Sequence, residues 1–122
     1  MYRILLVISL LFISSCTSAL KRDIAVPGTY NRVFIASVDA ALESGFGVTE
    51  ADRDVGLILA EDTSPKNDGI FDLRIDLEER GYDVLITVAI YADNEEDRVR
   101  TFSKFVNNLK KTNKKARIIT GG

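Results

Sequence analysis

The sequence predicts an α+β fold: a two-layer sandwich in which two helices cover one face of a four-stranded antiparallel sheet. Three observations carry that expectation. Tyr30, Val33, Phe34, Val38, Ala41 and Leu42 recur at helical spacing, and Val99, Phe102, Phe105, Val106 and Leu109 do so again later in the chain. Between these stripes, Phe71, Leu73, Ile75 and Leu77 alternate with Asp72, Arg74 and Asp76. That period of two marks a strand with one buried face and one wet face. The order helix, four strands, helix, with hairpin turns between strands, then places both apolar stripes on one side of the sheet.

The first helix follows the punctuating pair Pro27-Gly28, with Thr29 as its N-cap and Gly45 at its end. Phe46 and Val48 begin a first strand, residues 51–56 form a polar turn, and residues 57–61 form a second strand apolar enough to be mostly buried. A loop over 62–69 carries Ser64-Pro65 and Asn67-Asp68-Gly69. The third strand is the alternating one, and 78–81 turns the chain back. Tyr82, Val84, Ile86, Val88 and Ile90 form one face of the fourth strand. Its other face, with Leu85, Thr87, Ala89 and Tyr91, is less polar than open solvent calls for. The second helix starts at Asp93, which with Glu96 matches a capping box. Glu95, Glu96 and Asp97 complement the positive helix end. Lys110, Lys111, Lys114, Lys115 and Arg117 crowd the far end, and 118–122 reads as a tail.

The N-terminus carries an address. Arg3 supplies a positive charge, residues 4–13 are apolar apart from Ser9, and Ser14 and Ser15 are small. These are the parts of a secretory signal. The apolar run falls short of the roughly 20 residues that span a bilayer. Ile13-Ser14-Ser15-Cys16 resembles a bacterial lipobox. The resemblance implies cleavage before Cys16, a diacylglyceryl group on its thiol and an acyl chain on its new amine. More than one chain matters, because a single acyl chain anchors only marginally. Thr17 follows Cys16, and the absence of Asp there implies the periplasmic face of the outer membrane. Two alternatives stand beside this: cleavage after Ala19, releasing a soluble periplasmic protein, and an uncleaved membrane anchor. The chain thus divides into a signal (1–15), the lipidated cysteine and a tether with at most a short strand at 23–26 (16–28), an α+β domain (29–110) and a basic tail (111–122).

Of the 122 residues, removal of the first 15 leaves 107, enough for one small domain. The formal charge of −2, which becomes −3 without Arg3, argues against a nucleic-acid partner. There is no histidine, the commonest general base and transition-metal ligand. Cys16 is the single cysteine, so no disulfide braces the fold.

Ala41-Leu42, Gly45-Phe46, Val48, Asp52-Arg53, Gly56 and Ile58 resemble the helix-to-hairpin core of small envelope lipoprotein domains with a BamC-like, helix-grip fold. The resemblance extends in element order over residues 30–110. It implies a fold and a compartment, and no catalytic residue.

Tests for chemistry return little. Asp52-Arg53-Asp54 opens like a calcium loop, but Leu57 and Thr63 stand where that loop needs Gly and Glu. Asp72 and Asp76 lie about 13 Å apart along a strand, wide for a glycosidase pair. Ser37, Ser44, Ser64 and Ser103 have no histidine to activate them. The expectation is therefore a module that binds without catalysis. Its candidate partner face is Leu85, Ala89 and Tyr91 with Asp72, Arg74 and Asp76, and its partner is another envelope protein. No metal or cofactor is expected beyond the lipid on Cys16. A small-ligand or lipid-binding lipoprotein, with a groove between sheet and helix, is the alternative; a small hydrolase using carboxylates is a third. The basic C-terminal stretch either meets anionic headgroups or an acidic partner, or serves its own helix dipole.

Overall fold

The computed structural model describes residues 19–62 and 72–119. Along the chain these form β1 (Ala19–Pro27), α1 (Tyr30–Glu43), β2 (Phe46–Asp52), β3 (Leu57–Asp62), β4 (Asp72–Glu79), β5 (Asp83–Tyr91), α2 (Glu95–Thr112) and β6 (Arg117–Ile118). The fold is the α+β sandwich expected, with six strands instead of four. They lie in the order β2-β3-β4-β5-β1-β6, and every neighbouring pair is antiparallel.

One face of the sheet builds the core. Ile24, Val26, Ile58, Ala60, Leu73, Ile75, Leu77, Val84, Ile86, Val88 and Ile90 meet Val33, Phe34, Ala40 and Ala41 of α1 and Phe102, Phe105, Val106 and Leu109 of α2 in one cluster. This is the period-two and period-3.6 patterning working together, each element burying its apolar side against the other layer. Burial at about 25 cal/mol per Å² of apolar surface is the main stabilising term.

The largest correction is β1. Residues expected as a tether form a nine-residue strand that pairs with β5 along its whole length, from Ala19 opposite Tyr91 to Pro27 opposite Asp83. Its sequence hides it. Lys21, Arg22 and Asp23 are consecutive charges, and Ile24, Ala25 and Val26 are all buried, so nothing alternates. Ala25 is covered because β6 pairs beside it, with Ala25 opposite Arg117. The expected tail thus contributes a strand of two residues.

The first helix is capped as its sequence indicates: the Thr29 Oγ1 accepts from the Arg32 backbone N–H at 3.4 Å. Ser37 lies inside the layer and donates its hydroxyl to the Val33 carbonyl at 2.8 Å. In α2 the cap is shifted by one residue from Asp93. Asn94 Oδ1 accepts from the Asp97 N–H at 2.8 Å, and its Nδ2 donates to the Asp97 carboxylate at 2.7 Å. Both Asp93/Glu96 and Asn94/Asp97 fit the cap spacing; the second pair gains two bonds. Leu42 and Val99, expected on the core stripes, are 51% and 47% exposed. Each sits at the margin of its stripe. Tyr82 is not part of the β5 core face: it lies in the β4–β5 turn, 88% exposed.

Candidate functional site

Both helices occupy the same face, so among the described residues no layer covers the opposite face of the sheet. Strand pairing orders its side chains in rows. One row runs Glu61, Asp72, Tyr91, Ala19; the next Leu59, Arg74, Ala89, Lys21; the third Leu57, Asp76, Thr87, Asp23; the fourth begins Glu78, Leu85, Ala25. All six residues expected on the partner face, Asp72, Arg74, Asp76, Leu85, Ala89 and Tyr91, therefore share it. They do not share a role. Leu85 and Tyr91 are half-buried and reachable, as are Leu57 and Leu59, which the sequence reading assigned to a mostly buried strand. Ala89 is 2% exposed and forms the floor between the longer side chains of Arg74 and Lys21.

Part of the charge on this face is held by neighbours within it. The Arg74 Nε and Nη2 donate to the two Asp76 carboxylate oxygens at 3.0 and 3.3 Å. Hydrogen bonding to Asp76, then its charge, holds the Arg74 guanidinium even more firmly protonated than usual. The Thr87 hydroxyl donates to Asp23 Oδ1 at 2.8 Å. The surface dips at its Tyr91 end into a depression of about 350 Å³ bordered by Thr49, Leu59, Glu61, Asp72, Arg74 and Tyr91. Leu59 and Tyr91 there lie beside the charged Glu61, Asp72 and Arg74, the mixture of apolar surface and polar rim common at protein interfaces.

The carboxylates of the hydrolase reading do not converge. Glu61 and Asp72 oppose each other across β3 and β4, whereas Asp76 lies four residues further along β4, held by Arg74. Asp83 sits at the other end of the sheet in a bidentate pair with Arg80, at 3.0 and 2.8 Å. The Arg80 hydrogen bonds hold the Asp83 carboxyl below the usual carboxylate range, against the opposing effect of burial. Among the described residues the centre of the interface between the layers is filled, with Ile24, Ile86, Phe105 and Leu109 fully buried there, so a concavity between sheet and helices is confined to its margin. Among the described residues, no cluster of three or more His, Cys, Asp or Glu side chains is placed to hold a metal ion. No helix among them is long and apolar enough to cross a membrane.

The two ends of the sheet differ. Ala19, Phe46, Asp62, Asp72 and Tyr91 mark one end. The predicted lipidation residue Cys16 lies outside the described residues, three positions before Ala19. The other end carries the β2–β3 and β4–β5 turns and the close of β1. Val55 and Tyr82 project from those turns, at 70% and 88% exposure. Sequence reasoning missed both, though Gly81 before Tyr82 was a signal that the turn had not yet ended. It also missed that Arg32 meets the basic end of α2, because the two segments are far apart in the chain.

No family model matches the chain, and no curated protein matches it. Among solved structures it is similar to DynU16, a protein of the dynemicin biosynthetic locus, with 13% identity and a TM-score of 0.43. That alignment covers 76% of this chain and 46% of DynU16, so the chain spans less than half of that protein's length. It is also similar to an uncharacterised protein from Rhizobium leguminosarum, with 17% identity and a TM-score of 0.32, over 76% of this chain and 94% of that one.

Proposed function

We propose that the protein is a lipid-anchored binding module of the bacterial envelope, held by Cys16 on the periplasmic face of the outer membrane. Its uncovered sheet face recognises another envelope protein. The observation that carries this reading is the open face itself: Leu57, Leu59, Leu85 and Tyr91 stand partly exposed on it, interleaved with charged residues of which Arg74 and Asp76 pair with each other. Such a surface offers apolar contact area set within a polar, charged rim.

The anchor reading rests on the lipobox resemblance and gains from where β1 begins. Three peptide steps separate Cys16 from Ala19, a reach of about 10 Å at full extension. The acyl chains therefore hold the Tyr91 end of the sheet close to the bilayer surface. The soluble alternative, cleavage after Ala19, removes the first paired residue of the strand.

Photo-crosslinking in intact cells tests the module. A crosslinker at Leu85 or Tyr91 is expected to capture a discrete envelope protein, and one at the exposed Lys104 of α2 is not. Equal capture at all three positions, or none at the sheet positions, removes the sheet face as the recognition surface. Cys16→Ala is expected to leave the chain uncleaved at the lipobox and without its acyl chains. Unchanged lipid attachment by mass spectrometry would refute the anchor.

A further inference from the structure

At the end of the domain remote from Ala19, a cleft of about 290 Å³ opens between the close of β1, the first half of α1 and the C-terminal end of α2. Arg32 borders it from α1, and Lys114 and Lys115 border it from the turn after α2. No carboxylate borders the cleft, and none of these three cations forms an ion pair among the described residues. The nearby Lys111, by contrast, reaches Glu43 at 3.5 Å.

Helix dipoles account for part of this charge and not for the rest. Lys114 and Lys115 follow the C-terminal end of α2, where cations are favourable. Arg32 lies in the first turn of α1, where a cation opposes the positive end of its own helix. That turn contains no acidic residue to offset it. A net negative chain thus gathers three cations around one concavity, one of them against its local field. A bound anion relieves that conflict, and the cleft admits a group the size of a phosphate.

We propose that this cleft is a binding site for a compact, doubly charged phosphate group presented by a soluble ligand. Arg32 supplies a planar fork of donors to its oxygens, and Lys114 and Lys115 supply point charges. The soluble source rests on the anchor reading given above. Pro27, which borders the cleft with Gly28, closes β1 about 26 Å along the strand from Ala19, so headgroups of the leaflet that holds Cys16 lie at the opposite end of the domain.

The test uses the full lipidated chain in a zwitterionic detergent, titrated with inorganic phosphate in a calorimeter at constant ionic strength. One saturable site is expected. Arg32→Ala and the Lys114→Ala/Lys115→Ala pair should each weaken it about tenfold or more, consistent with the loss of charged hydrogen bonds. Arg32→Glu should abolish it. Lys104→Glu, which changes charge by the same amount away from the cleft, should leave it intact. Absence of saturable binding, or binding that survives Arg32→Glu, overturns the site. Flotation of the same chain on vesicles distinguishes the sources. Equal flotation of wild type and Arg32→Glu on phosphatidylcholine vesicles with and without phosphatidylglycerol fits a soluble ligand. A phosphatidylglycerol-dependent gain lost in Arg32→Glu assigns the cleft to headgroups and overturns the soluble source. Failure to float on pure phosphatidylcholine speaks against the anchor alone, and the phosphate titration then still decides the cleft.

Discussion

Gly56 ends the β2–β3 turn, and replacing it with alanine separates two costs that usually come together. Its φ is +78°, a conformation in which an L-residue is disfavoured by about 1–2 kcal/mol. An added Cβ would also stand 2.6 Å from the Leu77 carbonyl oxygen and 3.0 Å from the Tyr30 hydroxyl. The first contact is with backbone, and the Leu77 N–H already donates to the Gly56 carbonyl at 2.8 Å, so the two segments cannot part cheaply. Forcing atoms into such a site costs about 1–3 kcal/mol more. Gly56→Ala is therefore expected to destabilise the domain by about 2–5 kcal/mol in total. Gly81 supplies the control: its φ is +101°, but an added Cβ meets nothing within 4 Å. Gly81→Ala should show only the conformational part, about 1–2 kcal/mol. Urea denaturation followed by circular dichroism measures both, with equal slopes required so that midpoints report stability. Equal losses in the two variants would refute the close approach of Gly56 to β4 and leave only the backbone term. Tyr30→Phe in the Gly56→Ala background removes the hydroxyl contact but not the carbonyl one, so most of the loss should remain.

Three other outcomes follow from the packing and the charges. Phe105→Ala empties the centre of the interface between α2 and the sheet, where Phe105 is fully buried, and should cost about 3–5 kcal/mol by the same denaturation assay. Asn94→Ala should cost about 1 kcal/mol, whereas Asp93→Ala should fall within about 0.5 kcal/mol of wild type; the reverse ranking would return the cap to Asp93. The Asp83 carboxyl has a folded pKa below its unfolded value, so the Arg80 pair adds stability above the unfolded carboxylate range and loses it as pH falls through the folded value. Asp83→Asn should therefore be less stable than wild type at neutral pH, with the gap closing in acid; a gap independent of pH would contradict the ionic pairing.

Much of this architecture is legible in the residues. The alternation from Leu73 to Leu77 identifies β4 and its wet face, because a strand with one covered side has no other pattern available. Thr29 and Gly45 bracket α1 because each answers a local backbone need. The failures have the opposite character. β1 is hidden because its pairing partners β5 and β6 and the helix α2 that packs over it are distant in sequence. Ala89 shares the open face as expected, yet whether a small side chain is contact or floor depends on the length of its cross-strand neighbours. The cleft joins Arg32 to Lys114 and Lys115, and a linear pattern contains no sign of that meeting.

The placement of β1 also sets an order of events. The Thr87–Asp23 hydrogen bond joins residues 64 apart. Closing a flexible loop of that length costs about 3.7 kcal/mol of chain entropy before any contact repays it. The β2–β3 and β4–β5 hairpins close locally, whereas β1, the first described strand along the chain, waits for β5. During that wait the apolar run Ile24-Ala25-Val26 has no sheet to cover it. Lys21, Arg22 and Asp23 stand immediately before it, charges of the kind that keep an unpaired strand from joining its neighbours. The three residues that obscure β1 as a strand thus guard the chain while it is still unfolded.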